Sequence, residues 1–518
     1  MTDAAPDPGA GRVPAPVVAR PAGQRTGARV FAWFFVSLFL VLGAWSLANP
    51  LTAAPDEPGN AIKAAAVVRG QLVGERDDPA QLGSGRFTVP AVVAFANEMP
   101  RCFAHLPEQP ASCMPTPPDD AGALTPATST ASAENPLYYA VVGLPSLVPA
   151  GPATLYLMRL VNAALCALML AWAFTQATTL RPGSWVPIGA LLAVTPMVAF
   201  LGSSINPAAL EVAAAAALWV SLSAVLRDDH VALRSRFVAI AIIASVFVNL
   251  GSLAPLLLAV VVLASVLSVP WSKTKGVLAE RRTWPWLGML GLATLAALIW
   301  SGTAGAFDGA GVLRRPSLGF GTAVQTSLGD TSAYIANMIG QFGWLDTKLP
   351  TWLVMFVAGA LGTVVILGLA LGRRRERTAI LSLGFITIAG LTALGALQAL
   401  YTGPVWAGRP FLSAAVGLPV LATYATARAV GDRARVVARR ATILLGSAWV
   451  LYQAGAFVIN VHRYQKGADA GLLAVLAGQW NPPLPASLLF GILVVGLLGT
   501  AAGCLRGTQH DDARTAAE

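Results

Sequence analysis

Apolar runs of about 20 residues recur along almost the whole chain, and they constrain the fold more than any other feature. A helix of that length crosses the hydrocarbon core of a bilayer. The composition agrees, since 55% of the 518 residues are hydrophobic and only 12% are charged. Soluble domains have about 25% charged residues. We therefore expect an all-α polytopic membrane protein.

The basic residues indicate topology. A net charge of +10 would suit nucleic-acid binding, but the Lys and Arg residues are clustered between apolar runs in a regular way. If the N-terminus is cytoplasmic, the main clusters all fall on the inner side: 12–29, 227–236, 273–282, 373–377 and 428–440. This is the positive-inside distribution of membrane proteins. We expect a cytoplasmic N-terminus, contact with the lipid bilayer and no nucleic-acid partner.

The apolar runs divide the chain into about twelve helices. Residues 1–28 are rich in Pro, Ala and Gly, so we expect a disordered cytoplasmic segment there. A transmembrane domain follows at 29–505, with a long exoplasmic first loop at 50–152 and a second outer loop at 304–350, and the cytoplasmic tail is 506–518. After a first helix that begins near Val30, single helices are predicted at about 153–175, 185–202, 207–226, 285–303, 351–372, 378–400, 410–428, 441–460 and 485–504.

One apolar stretch, 237–267, is too long for a single ordinary crossing and has basic residues on both flanks. One helix cannot begin and end on the same side of a membrane. Gly251, Ser252 and Pro255 interrupt the stretch near its middle. We therefore predict two short helices that form a hairpin there.

The four cysteines fall into two groups. Cys166 and Cys504 lie in apolar helices, where a small buried thiol is the usual role. Cys102 and Cys113 both lie in the long first loop, and an oxidising exterior would allow them to form a disulfide. Two free thiols are the alternative. Neither pair has the histidine partners of a zinc site, and we predict no site of that kind.

The first candidate for chemistry is the adjacent pair Asp56 and Glu57, just after the first helix. Two neighbouring carboxylates at a membrane boundary repel each other and lose hydration, which favours a protonated form for at least one of them. Such a pair suits a general base for an acceptor hydroxyl, or the ligation of a divalent cation. A helix cap or a solvated loop start is an equally good interpretation of the spacing alone.

Other polar residues are predicted to lie near the same side of the membrane: Asn135, Tyr138, Arg159, Asn206, Glu211 and Arg409. Arginine binds phosphate oxygens in a bidentate manner, although an interfacial arginine can also be an anchor beside an aromatic residue. Arg409 has no acidic neighbour between Tyr401 and Asp432, so no local salt bridge accounts for it. Glu211 lies one turn inside a helix, where an ionisable residue is either functional or snorkelling.

Short motifs in the chain resemble a bacterial family of predicted membrane proteins, domain-of-unknown-function family 2142. The motifs are Pro55-Asp56-Glu57, Asn135-Pro136-Leu137-Tyr138-Tyr139, Ser204-Ile205-Asn206-Pro207 and Gly408-Arg409, which together span roughly residues 30–430. The layout of that family is similar to GT-C-type glycosyltransferases, which use polyprenyl-phosphate sugars at the outer face of the plasma membrane. In those enzymes an acidic residue of the first outer loop is catalytic, and it maps onto Asp56, with Glu57 beside it.

The resemblance implies a transferase that moves a sugar from a polyprenyl-phosphate donor to a cell-envelope glycan or protein. Asp56 and Glu57 would be catalytic, and substrate contacts would come from Arg409, Asn135, Tyr138, Asn206 and Arg159. Two other functions are open. A lipid or glycan transporter would need more charged residues within the membrane than Glu211 provides. A non-catalytic subunit of an envelope-building complex would tolerate replacement of Asp56.

Overall fold

The computed structural model describes residues 22–75, 84–179, 185–227, 233–305, 318–401, 408–430, 434–470 and 478–507. Most of the N-terminal segment 1–28 and of the tail 506–518, predicted from the sequence, lies outside these residues. The first helix begins at Ala22, earlier than expected. The described chain is mainly helical, which confirms the all-α class.

The α-helices are α1 (Ala22–Ala48), α2 (Glu57–Val67), α3 (Ala91–Ala94), α4 (Pro136–Val142), α5 (Ala153–Thr179), α6 (Val186–Ala193), α7 (Pro196–Gly202), α8 (Pro207–Arg227), α9 (Leu233–Phe247), α10 (Ala254–Leu267), α11 (Trp271–Ala279), α12 (Trp284–Thr303), α13 (Phe320–Gly329), α14 (Thr331–Gly340), α15 (Thr351–Leu371), α16 (Arg374–Tyr401), α17 (Leu412–Ala415), α18 (Gly417–Val430), α19 (Ala434–Lys466) and α20 (Ala486–Gly507). Short 3₁₀ turns lie at Phe95–Asn97, Met99–Cys102, Ala111–Cys113, Leu144–Leu147, Arg281–Thr283 and Arg409–Phe411. The strands are β1 (Gly85–Pro90), β2 (Leu124–Ser129), β3 (Gln341–Phe342) and β4 (Thr347–Lys348).

Within the described ranges, nine helices are long and apolar enough to cross a membrane, or ten if the bent pair α10–α11 counts as one span. The polytopic membrane class predicted from the sequence is thereby confirmed. Near the N-terminus, α1 packs against α5 and α20. Gly496 of α20 permits this close approach, because a Cβ atom there would lie 2.6 Å from the carbonyl oxygen of Ser37.

The predicted single helix at 185–202 is two helices, so that expectation was wrong. α6 ends at Ala193, and Pro196, which has no N–H to donate, opens α7. The Thr195 side chain caps α7 by accepting from the Val198 N–H, and its hydroxyl donates to the Met338 carbonyl at 2.9 Å. The Val194 carbonyl, which lies in the break, accepts from Trp449 Nε1 at 2.9 Å and from Gln453 Nε2 at 2.7 Å, so α19 fills the gap between α6 and α7.

The stretch 237–267 does contain two short helices, as its basic flanks predicted. α9 ends at Phe247 and α10 begins at Ala254. The intervening residues reach the first loop, where the Asn135 amide donates to Asn249 Oδ1 at 2.9 Å. After α10 the chain bends by 116° into α11.

The described parts of the first loop form a unit that lies on one end of the helix bundle, which we call the loop-bearing end. Its strands β1 and β2 pair antiparallel, from Gly85 opposite Ser129 to Pro90 opposite Leu124. Ser129 Oγ donates to the Gly59 carbonyl at 2.7 Å, which fastens this sheet to α2. The predicted Cys102–Cys113 disulfide is present.

Arg463, near the end of α19, connects the first loop to the second. Its guanidinium donates to the carbonyls of Phe103, Leu106 and Gln109, which lie within the disulfide-closed segment. It also donates to Asp346 Oδ2 at 2.9 Å, just before β4. Both loops predicted to be outside therefore meet at the loop-bearing end.

Candidate active site at the loop-bearing end

Asp56 stands immediately before α2, after a non-helical segment that begins at Pro50. Its side chain makes no cap hydrogen bond to α2, although it occupies the capping position. The carboxylate is 65% exposed. Asp56 is therefore held at a defined place by its backbone while its oxygens remain available.

Arg409 opens the 3₁₀ turn that leads into α17, at the start of a membrane span. Its side chain is only 9% exposed, and Nη1 lies 3.9 Å from Asp56 Oδ2. Its Nε and Nη2 atoms are buried and have no hydrogen-bond partner among the described residues. The structure thus brings together the predicted base and the predicted phosphate ligand, which are far apart in sequence.

Gly408 sets the position of Arg409. Its N–H donates to Asn337 Oδ1 at 3.2 Å. A Cβ atom at residue 408 would lie 2.4 Å from the Tyr334 carbonyl oxygen, so only glycine fits against α14 at this distance. The close approach of the two backbones places the guanidinium inside the bundle rather than on its surface.

Glu57 and Arg159, also predicted site residues, form a closed pair. Both side chains are almost fully buried, and Glu57 accepts from Arg159 Nε at 2.6 Å and Nη2 at 2.7 Å. The other three donors of Arg159 bind the backbone carbonyls of Ser46, Asn49 and Pro50. All five N–H donors of this guanidinium are therefore used within the protein. Glu57 also accepts from the Ile205 N–H at 3.1 Å.

The remaining predicted substrate ligands are engaged in internal contacts. Asn135 caps α4 by accepting from the Leu137 N–H, and its amide reaches Asn249. Tyr138 is buried and donates to Asn162 Oδ1 at 2.9 Å. Asn206 is buried as well and accepts from the Ala208 N–H at 3.0 Å at the start of α8. Of these three, Asn135 is the half-buried one.

Lys63 and Glu134 belong to the same charged cluster, and the sequence analysis assigned them no role. Lys63 is fully buried, and its Nζ donates to the carbonyls of Leu72 and Ser132. Burial lowers the pKa of Lys63 to about 8, although the negative charge of Glu134 acts in the other direction and raises it. Burial likewise raises the pKa of Glu134, the Lys63 charge lowers it and the Asp56 charge raises it. The sequence signal that could have revealed this cluster is a single lysine, Lys63, within a run of small residues in α2.

Glu211 lies deeper, in α8. Its Oε1 accepts from Ser413 Oγ at 2.8 Å, so α8 is joined to α17 just beyond Arg409. Its Oε2 faces Gly251, where a Cβ atom would lie 3.5 Å away. The turn between α9 and α10 therefore lies beside Glu211 and is hydrogen-bonded to Asn135. Across the described ranges, no group of three or more His, Cys, Asp or Glu residues is arranged to hold a metal ion.

Comparison with known proteins gives one family match. A family model described as a predicted membrane protein (DUF2142) matches residues 39–405. No curated protein gives a match. Among solved structures, the chain is similar to apo ArnT from Cupriavidus metallidurans, with 14% identity, a TM-score of 0.41, and coverage of 94% of this chain and 77% of that chain. It is also similar to the same ArnT bound to undecaprenyl phosphate, with 12% identity, a TM-score of 0.38, and coverage of 96% of this chain and 78% of that chain.

Proposed function

The chain belongs to the DUF2142 family of predicted membrane proteins, and we propose that it is a glycosyltransferase that uses a polyprenyl-phosphate sugar as its donor. The acceptor would be a cell-envelope glycan or protein at the outer face of the plasma membrane, with the N-terminus cytoplasmic. One observation carries the proposal. An exposed carboxylate, Asp56, lies 3.9 Å from the buried guanidinium of Arg409, two of whose nitrogens have no hydrogen-bond partner in the part of the chain that the structure describes.

Arg409 supplies the chemistry for the donor phosphate. Within the described ranges its Nε and Nη2 have no hydrogen-bond partner, and an unsatisfied buried donor costs about 1–3 kcal/mol. A phosphate that accepts from both would remove that cost, because the planar fork of arginine matches two phosphate oxygens. Since Arg409 begins a membrane span, the phosphate would lie near the headgroups while its polyprenyl chain stays in the bilayer.

Asp56 supplies the base. The acceptor hydroxyl would lose its proton to the Asp56 carboxylate as its oxygen forms a bond to the anomeric carbon of the donor sugar. The bond between that carbon and the phosphate oxygen breaks, and the phosphate leaves with the electron pair. Arg409 stabilises the negative charge on the leaving group. A carboxylate that is exposed to the acceptor and adjacent to this cation suits the two roles.

Glu57 and Arg159 would position Asp56 rather than touch substrate, because their polar atoms already bind each other and the backbone of the preceding segment. Tyr138 and Asn206 would also support the surrounding structure rather than touch substrate, because each side chain makes a hydrogen bond within the protein. Asn135, which is half-buried, is the one of these residues that we retain as a substrate contact. This assignment revises the set of contacts expected from the sequence.

Asp56→Asn tests the base. The substitution preserves shape and removes basicity, so the protein should stay folded and reach the membrane while transfer falls by about 10²–10⁴. The measurement is the envelope glycan of cells in which the variant replaces the wild type. Asp119→Asn, an exposed carboxylate of the same loop, is the matched control and should retain product. Product near the wild-type amount with Asp56→Asn would favour the accessory-subunit function.

Arg409→Lys tests the phosphate ligand. Lysine keeps the charge but lacks the bidentate fork, so binding of undecaprenyl phosphate should weaken clearly, as measured by native mass spectrometry of the purified protein in detergent. Arg101→Lys, at an exposed position of the first loop, should bind normally. Undecaprenol, which lacks the phosphate, should bind the wild type and Arg409→Lys equally. Equal affinity of both proteins for undecaprenyl phosphate would make Arg409 an anchor for ordinary lipid headgroups.

A further inference from the structure

The last part of the first loop has a surface unlike the rest of that loop. α4 and the following 3₁₀ turn, Leu144–Leu147, form a nearly continuous helical segment. The exposed positions recur every three or four residues, as on one side of a helix. All of them are apolar: Leu137, Ala140, Val141, Leu144, Leu147 and Val148. We call these six residues the apolar face.

This surface lacks charge as well as polarity. Not one Asp, Glu, Lys or Arg occurs between Glu134 and Arg159. Earlier parts of the same loop, in contrast, expose Arg86, Glu98 and Arg101. An apolar patch of this kind is unusual on a water-facing domain and marks a contact with a membrane or a partner.

The apolar face cannot turn inward, because the opposite side of the segment is already packed. Tyr138 and Tyr139 are buried, and the Tyr139 hydroxyl donates to Asn60 Oδ1 in α2 at 2.8 Å. At Gly143 a Cβ atom would lie 2.1 Å from the Ala64 carbonyl oxygen, so this backbone is pressed against α2. The guanidinium of Arg69 binds Ser146 through both its hydroxyl and its carbonyl.

We infer that the apolar face, Leu137–Val148, lies in the bilayer, in the leaflet at the loop-bearing end, with lipid acyl chains as its partner. Continuity with a membrane helix favours lipid over protein as the partner. The chain runs from Val148 through four residues into the membrane helix α5, whose Leu157 and Leu168 are also exposed. A short amphipathic segment beside a membrane helix is suited to the interface.

The inference changes where the aqueous domain ends. The first loop, predicted at 50–152, would leave the membrane after α1 and return to it by about residue 137 rather than 152. α4 is also tied to α2, which begins directly after Asp56. Immersion of the apolar face would therefore hold Asp56 at headgroup depth. The inference stands on surface chemistry and does not depend on the transferase activity.

Spin labels in proteoliposomes test this placement. A label would be attached at Leu147→Cys, with Leu106→Cys as the matched control, because the two leucines are 50% and 53% exposed and both belong to the first loop. The buried free thiols would be removed by Cys166→Ala and Cys504→Ala. Val148→Cys provides a second position, in case one substitution disturbs the segment.

The label at Leu147 should be more accessible to oxygen, which concentrates in lipid, than to a water-soluble nickel chelate. The label at Leu106 should show the reverse. Chelate access at 147 and 148 equal to that at 106 would overturn the inference. Protection of 147 and 148 from both reagents would also overturn it, because that pattern indicates a second copy of the chain covering the apolar face.

Discussion

The buried Glu57–Arg159 pair allows a quantitative test of how the site is held. Arg159→Met keeps an unbranched apolar stem but removes all five donors. Glu57 would keep only the Ile205 N–H, and the carbonyls of Ser46, Asn49 and Pro50 would lose their donor. The segment that carries Asp56 would thereby lose its main polar attachment to α5.

The magnitude follows from these contacts. Removing one partner of a buried ion pair costs about 3–5 kcal/mol, and each carbonyl left unsatisfied adds about 1–3 kcal/mol. Arg159→Met should therefore lower the free energy of unfolding by at least about 6 kcal/mol. Glu57→Gln should cost about 3–5 kcal/mol, because it leaves the guanidinium charge buried. In the double variant neither charge is left without its partner. Its loss of unfolding free energy should therefore be smaller than the sum of the two single-variant losses by about 2–3 kcal/mol.

Unfolding would be followed in mixed micelles by the reactivity of Cys504, a fully buried thiol on α20, far in sequence from the pair. Glu98→Gln is the control, since it breaks an exposed pair with Arg101 and should cost no more than about 1 kcal/mol. The reasoning would be refuted if the double variant lost an unfolding free energy equal, within about 0.5 kcal/mol, to the sum of the two single-variant losses. The two side chains would then contribute independently, despite their contact.

Two further predictions concern charge and topology. Burial lowers the pKa of Lys63 to about 8, so the folded state binds this proton less tightly than the unfolded state. The free energy of unfolding of the wild type should therefore increase by up to about 3 kcal/mol relative to that of Lys63→Met as pH rises from about 8 to 10.5. A difference in unfolding free energy that is constant over this range would refute that. Single cysteines at Ala121 and Gly329 should react with an impermeant thiol reagent in intact cells, and one at Arg375 should not. Reaction at residue 375 alone would reverse the assignment of inside and outside.

Properties that depend on local composition could be predicted from the sequence. Long apolar runs can be accommodated only in a bilayer, so the membrane class did not require knowledge of packing. The Cys102–Cys113 bridge joins residues close in sequence. In 237–267, Gly251 and Ser252 lie in the break between α9 and α10, and Pro255 lies in the first turn of α10, where proline is tolerated. The break at Pro196 followed the same rule but was missed, because the apolar run continues through it without a change of composition.

Partner choice among charged groups was decided only by the tertiary structure. The sequence identified Asp56, Glu57, Arg159 and Arg409 as candidates, but it contained no information on which carboxylate meets which guanidinium. The fold buries Glu57 with Arg159 and leaves Asp56 exposed beside Arg409, whose Nε and Nη2 have no partner among the residues that the structure describes. Such pairing depends on which helices lie side by side, at which depth and with which close backbone contacts, such as Gly408 against Tyr334. Those distances are set by packing of the whole bundle, so residue type and spacing cannot supply them.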